Sequence, residues 1–278
     1  MNRYAFRILN VFAREGRLTG NPLAVFEDAR GIDDETLQAL ARQFNLSETT
    51  FILPSGKATA RVRIFTPSYE MPFAGHPTLG TAHVVRDVAS AGDALTLEMK
   101  AGIIPVTAKG DRWTLKGNPP KSRSEKLDNA ELAEILGIDA ADIAPGVLRV
   151  STGREQLLVP LRSAEAVRAA SPRPAIFQRL ATEEGPGQAY VFADLGDRVE
   201  SRFFFTNGAA VLEDPATGSA CANLGGWFMA MKPGADVERV ISQGEAIARP
   251  STLQLAVRGG VIFVGGNVIE LARGTLVL

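Results

Sequence analysis

Two short glycine-bearing stretches constrain this chain more than anything else in it: PFAGHPTLGTAHVV around His76 and EDPATGSACANLGGWF around Ser219. Each sets a turn of small residues just before an apolar run with helical character, and the two lie at matching places in the two halves of the chain. A helix N-terminus presents unpaired backbone N–H groups and a partial positive charge, and so holds anions such as a carboxylate. Two such ends, one per half, predict a small anionic molecule gripped in a cleft between two similar domains.

The order of elements around the two turns repeats loosely. Tyr4, Phe6 and Ile8 alternate as in a strand, and the turn Gly20, Asn21, Pro22 leads into a second strand over 23–26. Asp33 or Asp34 caps a helix that carries Leu37, Leu40, Ala41 and Phe44 on one face and ends near Asn45. Strands follow over 49–53 and 60–65, and the first buried helix spans 76–88 with Pro77 in its first turn. In the second half, strands over 157–161, 189–192 and 202–205 echo those of the first, with helical pieces over 164–170 and 176–180. The second buried helix spans 217–231 and is apolar nearly all round, as a helix enclosed by sheet should be. Residues 117–126 are polar and proline-bearing and read as a linker. Short strands are expected from Ser251 onward, including 261–264 and a terminal strand from Gly274. The pattern predicts a mixed fold of two similar domains, each a curled sheet around one apolar central helix.

Composition narrows the function classes. The chain is 45% hydrophobic and 22% charged, ordinary for a globular protein, and its length fits two domains. A formal net charge of -1 and the lack of a recurring Lys/Arg cluster argue against nucleic acid or an anionic membrane as partner. Cys221 is the only cysteine, which excludes an internal disulfide and fits a reducing compartment. The first residues read as a strand rather than a signal peptide, and no run approaches the roughly 18 apolar residues of a membrane span, so a cytoplasmic location is expected. The histidines are His76 and His83 alone, and HExxH, CxxC, GxGxxG after a strand and GxxxxGK[ST] are all missing. Chemistry without a metal or organic cofactor is therefore favoured.

A few residues are placed to do such chemistry. Glu48 sits where a helix gives way to a strand, among Leu46, Phe51 and Ile52. A carboxyl group partly desolvated there suits a residue that takes and returns a proton, although the local sequence also fits a solvated glutamate at a helix end. His76 opens the first central helix and is able to donate a hydrogen bond or relay a proton, or merely to satisfy loop carbonyls. His83, inside the apolar run, reads as a packed helix residue. Asp214 leads into the second turn as a catalytic acid or as a capping acid. Thr217, Gly218 and Ser219 offer two hydroxyls and close backbone approach, suited to a carboxylate. Ser219 lacks the GxSxG surroundings of a nucleophile, and Cys221 reads as core.

The segments GNPLAVF, NLSETTF, FTP followed by PFAGHPTLGTA, EDPATGSA and the closing RGTLVL, in this order along the whole chain, strongly resemble the phenazine-biosynthesis isomerase family, the PhzF-like proteins. The resemblance implies an α+β, diaminopimelate epimerase-like fold: two pseudo-symmetric domains, each a mostly antiparallel curled sheet wrapped around a central helix. The domains would be residues 1–118, with Glu48 and the GHP turn, and 119–278, with the DPATGS turn, the last strand being free to return to the first domain. It implies Glu48 as the acid/base residue, His76 and Asp214 as further catalytic groups, and Gly75, Thr217, Gly218 and Ser219 as substrate-binding residues. It also implies a homodimer that uses no metal or cofactor. The family's best-known activity moves a proton between carbons of trans-2,3-dihydro-3-hydroxyanthranilate, giving a reactive ketone-type tautomer. Related racemases use two cysteines, whose positions here fall at Ala74 and Thr217, so a two-thiol mechanism is not expected. The expectation is a cofactor-independent isomerase of a small carboxylate. An epimerase or tautomerase of another carboxylate, or a binding protein without turnover, are the alternatives.

Overall fold

The computed structural model describes every residue except 17 and 184. The chain divides into two compact units, Met1–Lys116 with Gly265–Leu278, and Gly117–Val264.

The first unit contains β1 (Arg3–Val11), β2 (Asn21–Phe26), α1 (Asp34–Phe44), β3 (Glu48–Leu53), β4 (Ala60–Phe65), β5 (Glu70–Met71), α2 (Gly75–Val88), β6 (Ala94–Met99), β7 (Gly102–Lys109) and β8 (Arg112–Lys116). The second contains β9 (Lys121–Ser124), α3 (Asn129–Leu136), β10 (Leu148–Ser151), β11 (Glu155–Pro160), α4 (Ala164–Ala169), α5 (Pro174–Phe177), β12 (Gln188–Asp194), β13 (Arg198–Asn207), β14 (Ala210–Asp214), α6 (Gly218–Met231), β15 (Val237–Gln243) and β16 (Ser251–Arg258). A long final strand, β17 (Val261–Val277), begins in the second unit and ends in the first.

In the first unit the pairings form a closed circuit: β1 with β2, then β3, β4, β6, β7, β8 and β17, which pairs back onto β1. Most pairs are antiparallel; β2–β3 and β4–β6 are parallel. Helix α2 packs against β1, β2, β3, β4, β6 and β8, so it fills the ring its own unit makes. Its apolar sequence follows from that place, since a helix with strand on every side has no face to give to water. Gly80 marks the closest approach, where an added Cβ would lie 2.5 Å from Leu23 Cδ2 and 2.8 Å from Val11 Cγ2.

Helix α1 packs instead with Tyr4, Phe26, Phe51 and Phe65 in a separate apolar cluster. The Asp33 side chain caps it by accepting from Thr36 N–H at 2.8 Å. Strand β3 is therefore covered on both faces: Phe51 stacks on Phe26 in this cluster, and Thr50 turns the other way, to α2.

The second unit repeats the pairing order. β10–β11 is antiparallel, β11–β12 parallel, β12–β13 and β13–β14 antiparallel, β13–β15 parallel and β15–β16 antiparallel. Helix α6 packs on β9, β10, β11, β15 and β16. The outer cluster is larger here, because α3, α4 and α5 bring Leu132, Leu136, Val167 and Phe177 onto Leu157, Val159 and Val191.

Two stretches differ from the sequence reading. Residues 117–126 were expected to be a linker, but β9 lies inside them and pairs in register with β10, where Arg123 is held by the Glu155 carboxylate. From Ser251 onward, where short strands are expected, β16 is one, but the two expected pieces over 261–264 and from Gly274 are parts of one strand over Val261–Val277. Its glycines do not break it because the first unit needs extended backbone there. Gly265 lies against Thr114 and Gly274 against the Phe6 ring, at distances a Cβ would not allow.

Candidate active site

The first turn brings two of the expected residues together. Helix α1 ends at Asn45, whose left-handed backbone (φ 52) closes the helix with a bond from its N–H to Ala41 O at 3.1 Å. This abrupt end puts Glu48 at the head of β3, in parallel register with Leu23. Helix α2 starts at Gly75 after an extended Ala74, and the Thr78 hydroxyl donates back to Ala74 O at 2.6 Å. Thr81 donates to Pro77 O at 2.7 Å, so in its 2.8 Å bond with Thr50 it must accept. That bond fastens the middle of α2 to β3, two residues from Glu48. His76 Nδ1 is consequently 2.9 Å from Glu48 Oε2, with the side chains only 6% and 16% exposed.

Toward an ionised Glu48, His76 must carry its proton on Nδ1, because a carboxylate only accepts. His76 Nε2 is buried and has no hydrogen-bond partner among the described residues. The imidazole thus holds one of the two Glu48 carboxylate oxygens.

The second turn is organised by a residue the sequence reading missed. Gln243, fully buried at the end of β15, donates from Nε2 to Asp214 O at 2.8 Å and to Thr217 Oγ1 at 3.0 Å. Its Oε1 accepts from Thr217 N–H at 3.3 Å. The Thr217 oxygen already accepts, so its own proton goes to Asp214 Oδ2, 2.5 Å away. Next to Gln243, Gly244 (φ +82) leaves room for Pro215 O, which would lie 2.6 Å from an added Cβ. Gly218 begins α6 as Gly75 begins α2, and neither helix has a side-chain N-cap bond.

Ser219, half-buried in the first turn of α6, accepts a hydrogen bond from Gln156 Nε2 at 3.1 Å. Behind it, Asn223 Nδ2 donates to Gln156 Oε1 at 2.8 Å and to Arg154 O at 3.0 Å, and Asn223 Oδ1 accepts from Thr152 N–H at 2.7 Å. The available signal is Asn223 itself, a polar residue deep in a largely apolar helix; its partners, Gln156 in β11 and Thr152 and Arg154 just before that strand, lie too far along the sequence to be read from it.

The remaining candidates behave as core. His83 Nδ1 accepts from the Trp113 indole N–H at 3.3 Å, and burial, with Arg86 beside it, holds its pKa below the usual histidine value. Cys221 is buried, which pushes its thiol well above the usual range. Among the described residues no three His, Cys, Asp or Glu side chains converge as a metal-ligand set, and no helix is long and apolar enough to cross a membrane.

The pattern of the phenazine biosynthesis-like proteins (PhzC/PhzF) matches residues 9–268, nearly the whole chain. The chain belongs to this family. An uncharacterized isomerase of Pasteurella multocida is 38% identical over 279 residues, covering 98% of this chain and 94% of that protein. The trans-2,3-dihydro-3-hydroxyanthranilate isomerase of Pseudomonas aeruginosa is 35% identical over 288 residues, covering 99% of each. Among solved structures, a PhzF-family phenazine biosynthesis protein of Bacillus anthracis superposes with a TM-score of 0.87 at 23% identity over the whole of both chains, which speaks to the fold. The chain is an isomerase of the PhzF family.

Proposed function

We propose that this isomerase moves a proton between two carbons of a small, cyclic, amino-acid-like carboxylate, with Glu48 as the single acid/base group. The observation that carries the reading is the 2.9 Å pairing of Glu48 with a buried His76 at the start of α2. The carboxylate oxygen not held by His76 takes the proton from one carbon. The substrate's electrons shift along its conjugated system, and the same oxygen returns the proton to a different carbon. His76 Nδ1–H donates to Glu48 Oε2 throughout, so the carrier keeps its aim while its charge changes. Such proton transfer is typically worth 10²–10⁴ in rate.

The second turn supplies binding in this reading. Gly218 and Ser219, at the start of α6, hold the substrate carboxylate through backbone N–H groups and the Ser219 hydroxyl. Asp214, kept as a hydrogen-bond acceptor by Thr217, takes up a polar N–H or O–H of the ring. Gly75 lets the substrate approach the start of α2. The relatives that carry the name trans-2,3-dihydro-3-hydroxyanthranilate isomerase make that compound the first substrate to offer. Incubation with it in D₂O, followed by NMR, tests the proposal. Conversion with a hydrogen moved to a new ring carbon supports it, whether carried over as protium or replaced by deuterium where the Glu48 carboxyl exchanges with solvent before returning it. Deuterium at a stereocentre with inversion would point to an epimerase instead.

A further inference from the structure

We infer that Gln156 and Asn223 are positioning residues that set the Ser219 hydroxyl as a hydrogen-bond donor toward the substrate carboxylate. The inference rests on the proposed carboxylate role of the second turn, and it concerns how that turn obtains a donor.

The direction of every bond in the chain behind Ser219 is fixed by backbone groups. Thr152 N–H can only donate, so the Asn223 atom 2.7 Å from it is the amide oxygen. Arg154 O can only accept, so the Asn223 atom 3.0 Å from it is the amide nitrogen. That nitrogen also lies 2.8 Å from Gln156, which must turn its oxygen toward it. Gln156 is thereby left with its Nε2–H facing Ser219 Oγ at 3.1 Å. A serine hydroxyl has one proton, and an oxygen engaged as acceptor keeps that proton for another partner.

Thr78 and Thr81 spend their hydroxyl protons on the Ala74 and Pro77 carbonyls one turn back. Among the described residues Ser219 donates to nothing, and it is half-buried rather than sealed in. Asn223 and Gln156 are almost completely buried, a costly place for two amides unless every polar group is satisfied. Holding the Thr152–Arg154 loop needs Asn223 alone. Gln156 extends the chain to the half-buried Ser219 hydroxyl, and a hydroxyl held as donor recognises an anion.

The test is calorimetric binding of 3-hydroxyanthranilate, a ring carboxylate of the proposed substrate's skeleton, to the wild type, Ser219→Ala, Gln156→Glu, Gln156→Met and the double variant Ser219→Ala/Gln156→Glu. Glutamate at 156 offers Ser219 an acceptor and reverses the hydroxyl; methionine removes the donor without offering one, and keeps the question answerable if the glutamate variant does not fold. Hydrogen bonds to charged groups are worth enough that Ser219→Ala and Gln156→Glu should each weaken binding by on the order of 10- to 100-fold. Gln156→Met should cost less than Gln156→Glu, and the double variant should bind no worse than Ser219→Ala. With turnover, Asn223→Asp should raise KM and leave kcat nearly unchanged, a split that a general loss of packing would not give. Wild-type binding in Gln156→Glu, or additive losses in the double variant, would overturn the inference alone. A wild type that fails to bind the probe would overturn the carboxylate reading itself, and the inference with it.

Discussion

Asp214 receives the hydroxyl proton of Thr217 across 2.5 Å because Gln243 already donates to the same threonine oxygen. The three residues make one unit, in which the buried amide fixes the buried hydroxyl and the hydroxyl fixes the half-buried carboxylate. Gln243→Leu fills similar space but strands the Thr217 N–H and the Asp214 carbonyl. We expect it to cost roughly 1–3 kcal/mol of stability and to lower kcat/KM further, since Asp214 loses its orientation. Thermal unfolding and kinetics read both, and an unchanged Tm would contradict the role given to Gln243.

Gly244 and Gly208 separate backbone strain from contact with the turn. Both have positive φ, +82 and +61, but an added Cβ at 208 meets nothing within 4 Å, whereas at 244 it meets Arg249 O at 2.3 Å and Pro215 O at 2.6 Å. Gly208→Ala should therefore cost about 1 kcal/mol, the left-handed penalty alone. Gly244→Ala adds overpacking against backbone, about 1–3 kcal/mol more, and shifts the DPATGS turn. Urea unfolding of the pair reads the difference; equal losses would remove Gly244 from the support of the turn.

Acid sensitivity above the carboxylate range should trace to His83. Its pKa is lowered from the ordinary 6.5 by burial first and by Arg86 next, while Asp111 and Glu270 act weakly the other way. The unfolded chain therefore takes up this proton at higher pH than the folded one, so stability falls as pH drops below 6.5 toward the folded pKa. Protonation of Nδ1 would also break the bond from the Trp113 indole. In His83→Gln the fall in Tm between pH 6.5 and 5 should be smaller than in the wild type. A parallel fall in both proteins would contradict this assignment.

What the sequence made legible was what is local. A cap at Asp33 or Asp34, the end of α1 near Asn45, strand β4 and the two central helices are each written in a few adjacent residues, and Glu48, His76, Asp214, Thr217 and Ser219 sit inside such segments. The supports of those residues were not legible. Gln243 reaches back to Thr217 from the end of β15, and Gln156 reaches Ser219 from β11, through contacts that exist only after the strands pair. The polar, exposed residues of β9 look like a linker because an edge strand needs no apolar face. The continuous β17 was hidden by its glycines, which read as turns in sequence and serve as gaps for Thr114 and Phe6 in the fold.

In the proposed reaction Glu48 carries the proton. The most direct measurement is the rate of conversion of trans-2,3-dihydro-3-hydroxyanthranilate, followed by NMR, by the wild type and by Glu48→Gln, which keeps the shape and a partner for His76 but cannot carry a proton. The variant should lose on the order of 10²–10⁴ in rate with its fold and Tm retained. Conversion by Glu48→Gln at the wild-type rate would contradict that role.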